Sequence, residues 1–315
     1  MVRSNDNITS IENIQQAFRG VDYICSKQIA TTLYLAFRLN KPILVEGPAG
    51  VGKTDLAKKT ASFLNLPLIR LQCYEGLDES KSLYEWKYGK QLLYTQILKD
   101  KLNDIVREKN NLAESLEAIH QYDDIFFSPR FLEPRPLLSA LQQRKGSVLL
   151  IDEIDKSDDE FEAFLLEILS DFQISIPEIG TIAAKSTPYV FLTSNNTREL
   201  SDALKRRCLH LFIPFPDAQL ERDIINIRVP DLGDSLRFQL VSFIQQIRKL
   251  DIKKLPSISE TIDWARVLLL LHADCLNMEI VRSTLNVFLK FEDDIAVVND
   301  RLYELTQQAT KEGHA

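Results

Sequence analysis

The chain reads as an α/β module built on a largely parallel sheet, followed by a small domain made of helices alone. Three observations predict this. Short apolar runs alternate with helical patterns as far as Pro214 and Pro216. The first apolar run ends in a glycine-rich turn that opens a helix. Beyond that proline pair every periodic segment has helical spacing. Residues 1–215 and 216–315 are therefore taken as two domains.

Each element has its own signal. Ile11, Ile14 and Phe18, then Ile29, Leu33 and Phe37, recur at helical spacing, so residues 8–39 are expected to be helical. Residues 42–45 form a buried strand, 54–64 a helix and 68–71 a second strand. Over 95–120, Leu98, Leu102, Ile105, Leu112, Leu116 and Ile119 fall three or four positions apart, with Lys109 interrupting and charged positions between. That pattern predicts a long helix or helical hairpin with a narrow apolar stripe. Pro129, Pro134 and Pro136 punctuate a loop before a helix near Leu137. Residues 148–151 form a third strand and 161–169 a helix. Two β-branched runs around Pro177 and Gly180 predict a hairpin over 172–183, and 190–193 is a fourth strand. Leu236, Leu240, Phe243, Ile247 and Leu250 make one helical face, and Trp264 lies in a further helix.

Composition narrows the class. The 315 residues are 45% hydrophobic and 26% charged, which suits a globular chain and not a disordered one. Lys plus Arg number 38 against 45 Asp plus Glu, a formal charge of −7. That balance, with no basic tract, counts against nucleic acid as the partner and favours a protein client. No run approaches 18 uncharged apolar residues and the N-terminus lacks an apolar signal core, so a cytoplasmic location without a membrane span is expected. Four scattered cysteines and four dispersed histidines suggest reduced thiols and no zinc site.

Glycine is scarce, yet three of the ten (Gly47, Gly50, Gly52) fall within six positions. They belong to Gly47-Pro48-Ala49-Gly50-Val51-Gly52-Lys53-Thr54, which fits G-x-x-x-x-G-K-[ST] between an apolar strand and a helix. Phosphates must approach such a loop closely, so it needs residues without bulk, while backbone N–H groups and the helix N-terminus supply positive potential. Lys53 would contact the β- and γ-phosphates, and the Thr54 hydroxyl would coordinate Mg²⁺. The third strand then delivers Asp152 and Glu153 to the sheet edge. Asp152 would hold Mg²⁺, directly or through water, and Glu153 would polarise an attacking water. Asp155, Asp158, Asp159 and Glu160 are assigned no chemistry, only a solvated loop and helix start.

These two motifs and their spacing resemble the AAA+ ATPases. Thr193-Ser194-Asn195 resembles the sensor 1 segment, and Asp202-Ala203-Leu204-Lys205-Arg206-Arg207-Cys208 the segment that carries the arginine finger. The 172–183 hairpin resembles the pre-sensor-1 insertion, and the 95–120 stretch sits where the MoxR-type branch has an extra helical insert. The runs IRLQCYEGLD (69–78), FEAFLLEILSDFQISIPEIGTI (161–182) and ALKRRC (203–208) resemble the MoxR subgroup associated with carbon monoxide dehydrogenase maturation. The resemblance implies a P-loop αβα sandwich with a helical lid, ATP and Mg²⁺ as ligands, and a ring, usually a hexamer, with ATP at its interfaces. It implies that Asn195 positions the water or senses the γ-phosphate. Arg207, or its neighbour Arg206, would reach the nucleotide of the adjacent subunit. Arg266 resembles sensor 2. It further implies remodelling or maturation of a protein client, including metal cofactor insertion, and frequent pairing with a von Willebrand factor A domain protein. A nucleotide-gated scaffold with slow hydrolysis is the alternative, and a nucleic-acid motor stands third. Around Trp86, Tyr84 and Tyr88, core packing is favoured over client contact, and Arg130, Arg135, Arg144 and Lys145 are read as a solvated face before a pore lining.

Overall fold

In the computed structural model the described residues are 8–107, 128–177 and 179–312. Chain order gives β1 (Ile43–Glu46), β2 (Leu68–Gln72), β3 (Tyr84–Trp86), β4 (Leu132–Pro134), β5 (Val148–Asp152), β6 (Gln173–Ile176), β7 (Gly180–Ala183), β8 (Tyr189–Ser194) and β9 (Leu209–Phe212). Five of these form one parallel sheet in the order β2-β5-β8-β1-β9. Strands β5 and β8 are buried along their whole length, as a parallel sheet covered on both faces requires.

Successive residues of each strand feed opposite cores. Val148 and Leu150 face helices Ile11–Arg19, Lys27–Leu39 and Lys53–Leu64, in a cluster with Ile14, Phe18, Leu33 and Leu56. Leu149 and Ile151 face the other side, with Leu137, Leu165 and Ile168 from helices Pro136–Gln142 and Asp159–Asp171. The register sets the carboxyl ends level: Gln72 opposite Asp152, and Glu46 opposite both Ser194 and Phe212. In α/β sheets that edge is where ligands bind.

The predicted strands and the 172–183 hairpin all form, the latter as β6 paired antiparallel with β7. Two features differ from expectation. β9 follows the arginine-rich helix Asp202–Arg207 and completes the sheet. β3 and β4 pair antiparallel in a ribbon that brackets a long insertion. That ribbon buries Trp86 against Leu83 and Phe131, whereas Tyr88 is exposed. Arg135 pairs with Glu85 across the ribbon, and Lys87 pairs with Glu133. Of the predicted 95–120 stretch, the first part belongs to helix Tyr88–Arg107. Leu112, Leu116 and Ile119 lie outside the described residues.

The C-terminal region is helical throughout: Ala218–Arg228, Asp234–Ile247, Ile258–Leu270, Met278–Phe288, Glu292–Asp300 and Leu302–Glu312. It has its own apolar core, centred on Trp264, Phe243 and Phe288. The Trp264 indole N–H donates to Thr284 Oγ1 at 2.9 Å, so its one polar atom is satisfied. A buried ion pair ties three of the helices together. Arg248 donates from Nη1 and Nη2 to the two Glu221 oxygens, both at 2.7 Å, and from Nε to the Pro256 carbonyl at 2.8 Å. Thr261 donates to the same carboxylate at 2.8 Å. This cluster fixes the turn that leads into Ile258–Leu270, which Ser257 and Glu260 close with a capping box. Among the described residues no helix is long and apolar enough to cross a membrane. All four cysteines are free, and only Cys275 is exposed.

Trp264→Ala removes the largest fully buried side chain and leaves Thr284 without its indole donor. We expect a loss of about 3–5 kcal/mol in urea unfolding. A midpoint within a few tenths of a molar of the parent would contradict this account of the helical core.

Candidate functional site

The loop between β1 and helix Lys53–Leu64 supplies the first part of the site. Gly50 has φ +74°, and a Cβ there would stand 2.4 Å from Ser257 Oγ, so only glycine fits. Gly52 caps the helix at φ +99° and provides no side-chain cap. The amides of the first helical turn therefore face outward without a competing acceptor from the cap residue, which suits an anion. The Lys53 ammonium donates to the carbonyls of Gly47 and Pro48, each at 2.7 Å, and to Asn195 Oδ1 at 2.8 Å. Burial pushes its pKa down, against the opposing pull of Asp155, Asp152 and Glu153.

The acidic end of β5 supplies the second part. Asp152 is buried and fully engaged. Its Oδ1 accepts from Thr54 Oγ1 at 3.0 Å and from Thr193 Oγ1 at 2.5 Å. Its Oδ2 accepts from Arg70 Nε at 3.0 Å and Nη2 at 2.6 Å. Glu153 sits at φ +57°, a left-handed conformation that is uncommon outside glycine and turns the chain sharply after the strand. Its N–H donates to Thr193 Oγ1 at 2.9 Å. Its Oε2 accepts from Gln72 Nε2 at 3.0 Å and pairs with Lys156 at 2.6 Å. Asp155 Oδ2 accepts from the N–H groups of Asn195 and Thr197 and from the Thr197 hydroxyl, at 3.2, 3.0 and 2.6 Å. The end of β8 is thus fastened to the turn after β5.

Residues 42–208 match the family described as AAA domain (dynein-related subfamily). The chain belongs to that family. It is an AAA+ ATPase, and the matched span runs from β1 through Cys208. A protein of Staphylococcus haemolyticus (strain JCSC1435), described as uncharacterized, is 26% identical over 266 residues, covering 82% of this chain and 87% of its own length. An uncharacterized Staphylococcus epidermidis (strain ATCC 35984) protein is 25% identical over the same shares of each chain, 82% and 87%. Among solved structures, the Thermotoga maritima RuvB Holliday junction branch migration motor aligns with a TM-score of 0.45 and 20% identity, over 96% of this chain and 80% of that one.

Beside the loop of this AAA+ ATPase lies a cavity of about 320 Å³. It is lined by Tyr23 and Ile24, by Val51 and Gly52 of the loop, and by Ile224, Ile258 and Ile262 of the helical region. Arg228 and Asp55, which pair with each other, also line it. Its apolar walls and position next to the phosphate loop suit a nucleobase. The Thr54 hydroxyl and the Asp152 carboxylate, in contact with each other, are hard oxygen donors of the kind Mg²⁺ takes. The residues present therefore fit both nucleotide and Mg²⁺.

Of the predicted site residues, Lys53, Thr54, Asp152, Glu153 and Asn195 come together. The two finger candidates lie elsewhere on the chain. Arg207 is exposed, with Nε donating to Ser170 Oγ at 2.5 Å, while Arg206 is exposed and makes no hydrogen bond or ion pair among the described residues. Arg266 is not brought to the loop. It is exposed and pairs with Asp263 one turn back at 3.3 Å. The residue of helix Ile258–Leu270 that touches the loop is Ser259, whose N–H and hydroxyl donate to the Gly50 carbonyl at 3.3 and 3.2 Å. Sequence reasoning missed Arg70, Gln72 and Asp155. The signal for the first two was the pair of polar residues two positions apart in a strand, which places them on one face.

Burial would raise the Asp155 carboxyl, but hydrogen bonds from Thr197 and Asn195 outweigh it and hold its pKa below the usual 3.8. A depressed carboxylate stabilises the fold above its unfolded pKa, and that contribution disappears as pH falls through the folded one. In urea unfolding, Asp155→Asn should lower stability at neutral pH and flatten the acid limb below about pH 4. An unchanged acid limb would refute the assignment.

Proposed function

We propose that this AAA+ ATPase is of the MoxR type and uses Mg²⁺-dependent ATP hydrolysis to remodel or mature a protein client. The observation that carries the reading is the convergence of Lys53, Thr54, Asp152, Glu153 and Asn195 at the carboxyl edge of the sheet, beside an apolar cavity. The net charge of −7 and the absence of a basic tract favour a protein over a nucleic acid as the client. Metalloenzyme maturation and a von Willebrand factor A domain partner rest on the sequence resemblance alone.

In this reading the first-turn amides and Lys53 take the phosphate charge. Lys53 exchanges its loop carbonyls for phosphate oxygens and keeps its place beside Asn195. Thr54 and Asp152 would hold Mg²⁺, which when bound neutralises charge on the phosphates. Glu153 accepts the proton of the attacking water, for which it must leave Gln72 and Lys156. Asn195 orients the water, its main chain fixed by Asp155. The segment Asp202–Arg207 lends Arg207 or Arg206 to the nucleotide of the neighbouring subunit in a hexameric ring, with the helices after residue 215 as the lid domain. We assign the lid contact to Ser259, not to Arg266.

Glu153→Gln is expected to bind ATP and hydrolyse it at least about 10²-fold more slowly. Turnover close to the parent would overturn the assignment. The same variant, held in ATP, should retain a client that the parent releases on hydrolysis, and size measurement in ATP should give a ring. Arg206→Ala and Arg207→Ala separate the finger from its neighbour. The finger variant keeps ATP binding and loses turnover by about 10³-fold or more. If both variants turn over normally, the finger lies elsewhere.

A further inference from the structure

Arg70 has no place in the reaction outlined above, yet it holds one of the most important oxygens in the site. It lies on β2, the edge strand of the sheet, opposite Leu150 and two residues before Gln72. From there Nε and Nη2 both converge on Oδ2 of Asp152, at 3.0 and 2.6 Å, while Nη2 also donates to Gln72 Oε1 at 2.5 Å. The two partners differ in exposure. The Asp152 side chain is 3% exposed, the Arg70 side chain 48%. A buried carboxylate is costly to leave without a counter-charge, whereas a half-exposed guanidinium can return to water at little cost. Oδ1 is already occupied by the hydroxyls of Thr54 and Thr193. A divalent cation held by Thr54 and Asp152 would therefore compete with Arg70 for Oδ2, and the two positive charges would repel each other.

We infer that Arg70 is an exchangeable counter-ion of Asp152: it keeps the buried carboxylate paired in the arrangement seen here and yields Oδ2 when a divalent cation arrives with nucleotide. Arg70 thereby sets how strongly nucleotide binding depends on the metal. The inference rests on the reading of Thr54 and Asp152 as the metal-holding pair. It also accounts for an arginine in mid-strand at the sheet edge, with its head turned inward.

The test is a titration of the full chain with N-methylanthraniloyl-ADP, once with Mg²⁺ and once with EDTA. The dissociation constant in EDTA divided by that in Mg²⁺ reads the metal contribution. If Arg70 occupies Oδ2 nine-tenths of the time, Arg70→Ala should raise that ratio about tenfold, because the competing state no longer reduces apparent affinity. The constant in EDTA should stay within about twofold, and the melting temperature without ligand should fall. Arg70→Lys keeps the charge without the planar fork and should give a smaller rise. It also carries the test should the alanine variant fail to fold. An unchanged or reduced ratio in the Arg70 variants overturns the inference. So does an equal rise in Lys156→Ala, which removes the same charge from Glu153 and would show a general field effect. The underlying reading fails separately, if Asp152→Asn leaves the parent's metal dependence intact.

Discussion

The buried carboxylate of Asp152 is the constraint around which the rest of the site is arranged. A carboxyl group at the end of a fully buried central strand needs partners on every side. Here they come from three elements: β2 through Arg70, β8 through Thr193 and the loop helix through Thr54. Meeting that need sets the ends of three strands and one helix at fixed distances. The remaining chemistry is a by-product of that order. Thr193 can steer the Glu153 backbone because it already sits on Asp152, and Lys53 meets Asn195 because β8 is held level with β5.

A second set of contacts links the helical region to the loop. The buried Glu221–Arg248 pair fixes the turn before Ile258–Leu270. That turn delivers Ser257 against Gly50 and Ser259 onto its carbonyl. Arg228 pairs with Asp55 beside the cavity. The phosphate loop is thus gripped from outside by neutral hydroxyls and from the side by one ion pair. The loop backbone and the helical region therefore meet at Gly50.

What could be read from the sequence follows from how local each signal is. β1, β5 and β8 are buried between two layers of helices, so each opens with an unbroken apolar run before its polar carboxyl end. The 172–183 hairpin closes on itself within a few residues. β9 was missed because a four-residue edge strand, half exposed and beginning Leu209-His210, has neither the run nor the length. β3 and β4 were missed because their partners lie across an insertion, beyond any local pattern. The site divides the same way. The glycine loop and the acidic strand end are contiguous motifs, whereas Arg70 and Gln72 meet partners 82 and 81 positions away. Asp155 reads as solvated because the residues that cover its carboxylate, Asn195 and Thr197, lie 40 and 42 positions away. Arg266 lies on the exposed side of its helix with Asp263, which helical spacing alone does not reveal.

The thiols add a practical consequence. Cys25, Cys73 and Cys208 are buried, and burial pushes each up to about 12, where they stay protonated and unreactive near neutral pH. Cys275 alone is exposed, and it sits in the helical region, between Ile258–Leu270 and Met278–Phe288. The native chain therefore carries its own single labelling handle on the part that touches the phosphate loop. A fluorophore attached there would follow that region through a nucleotide cycle without any cysteine having to be engineered in or out.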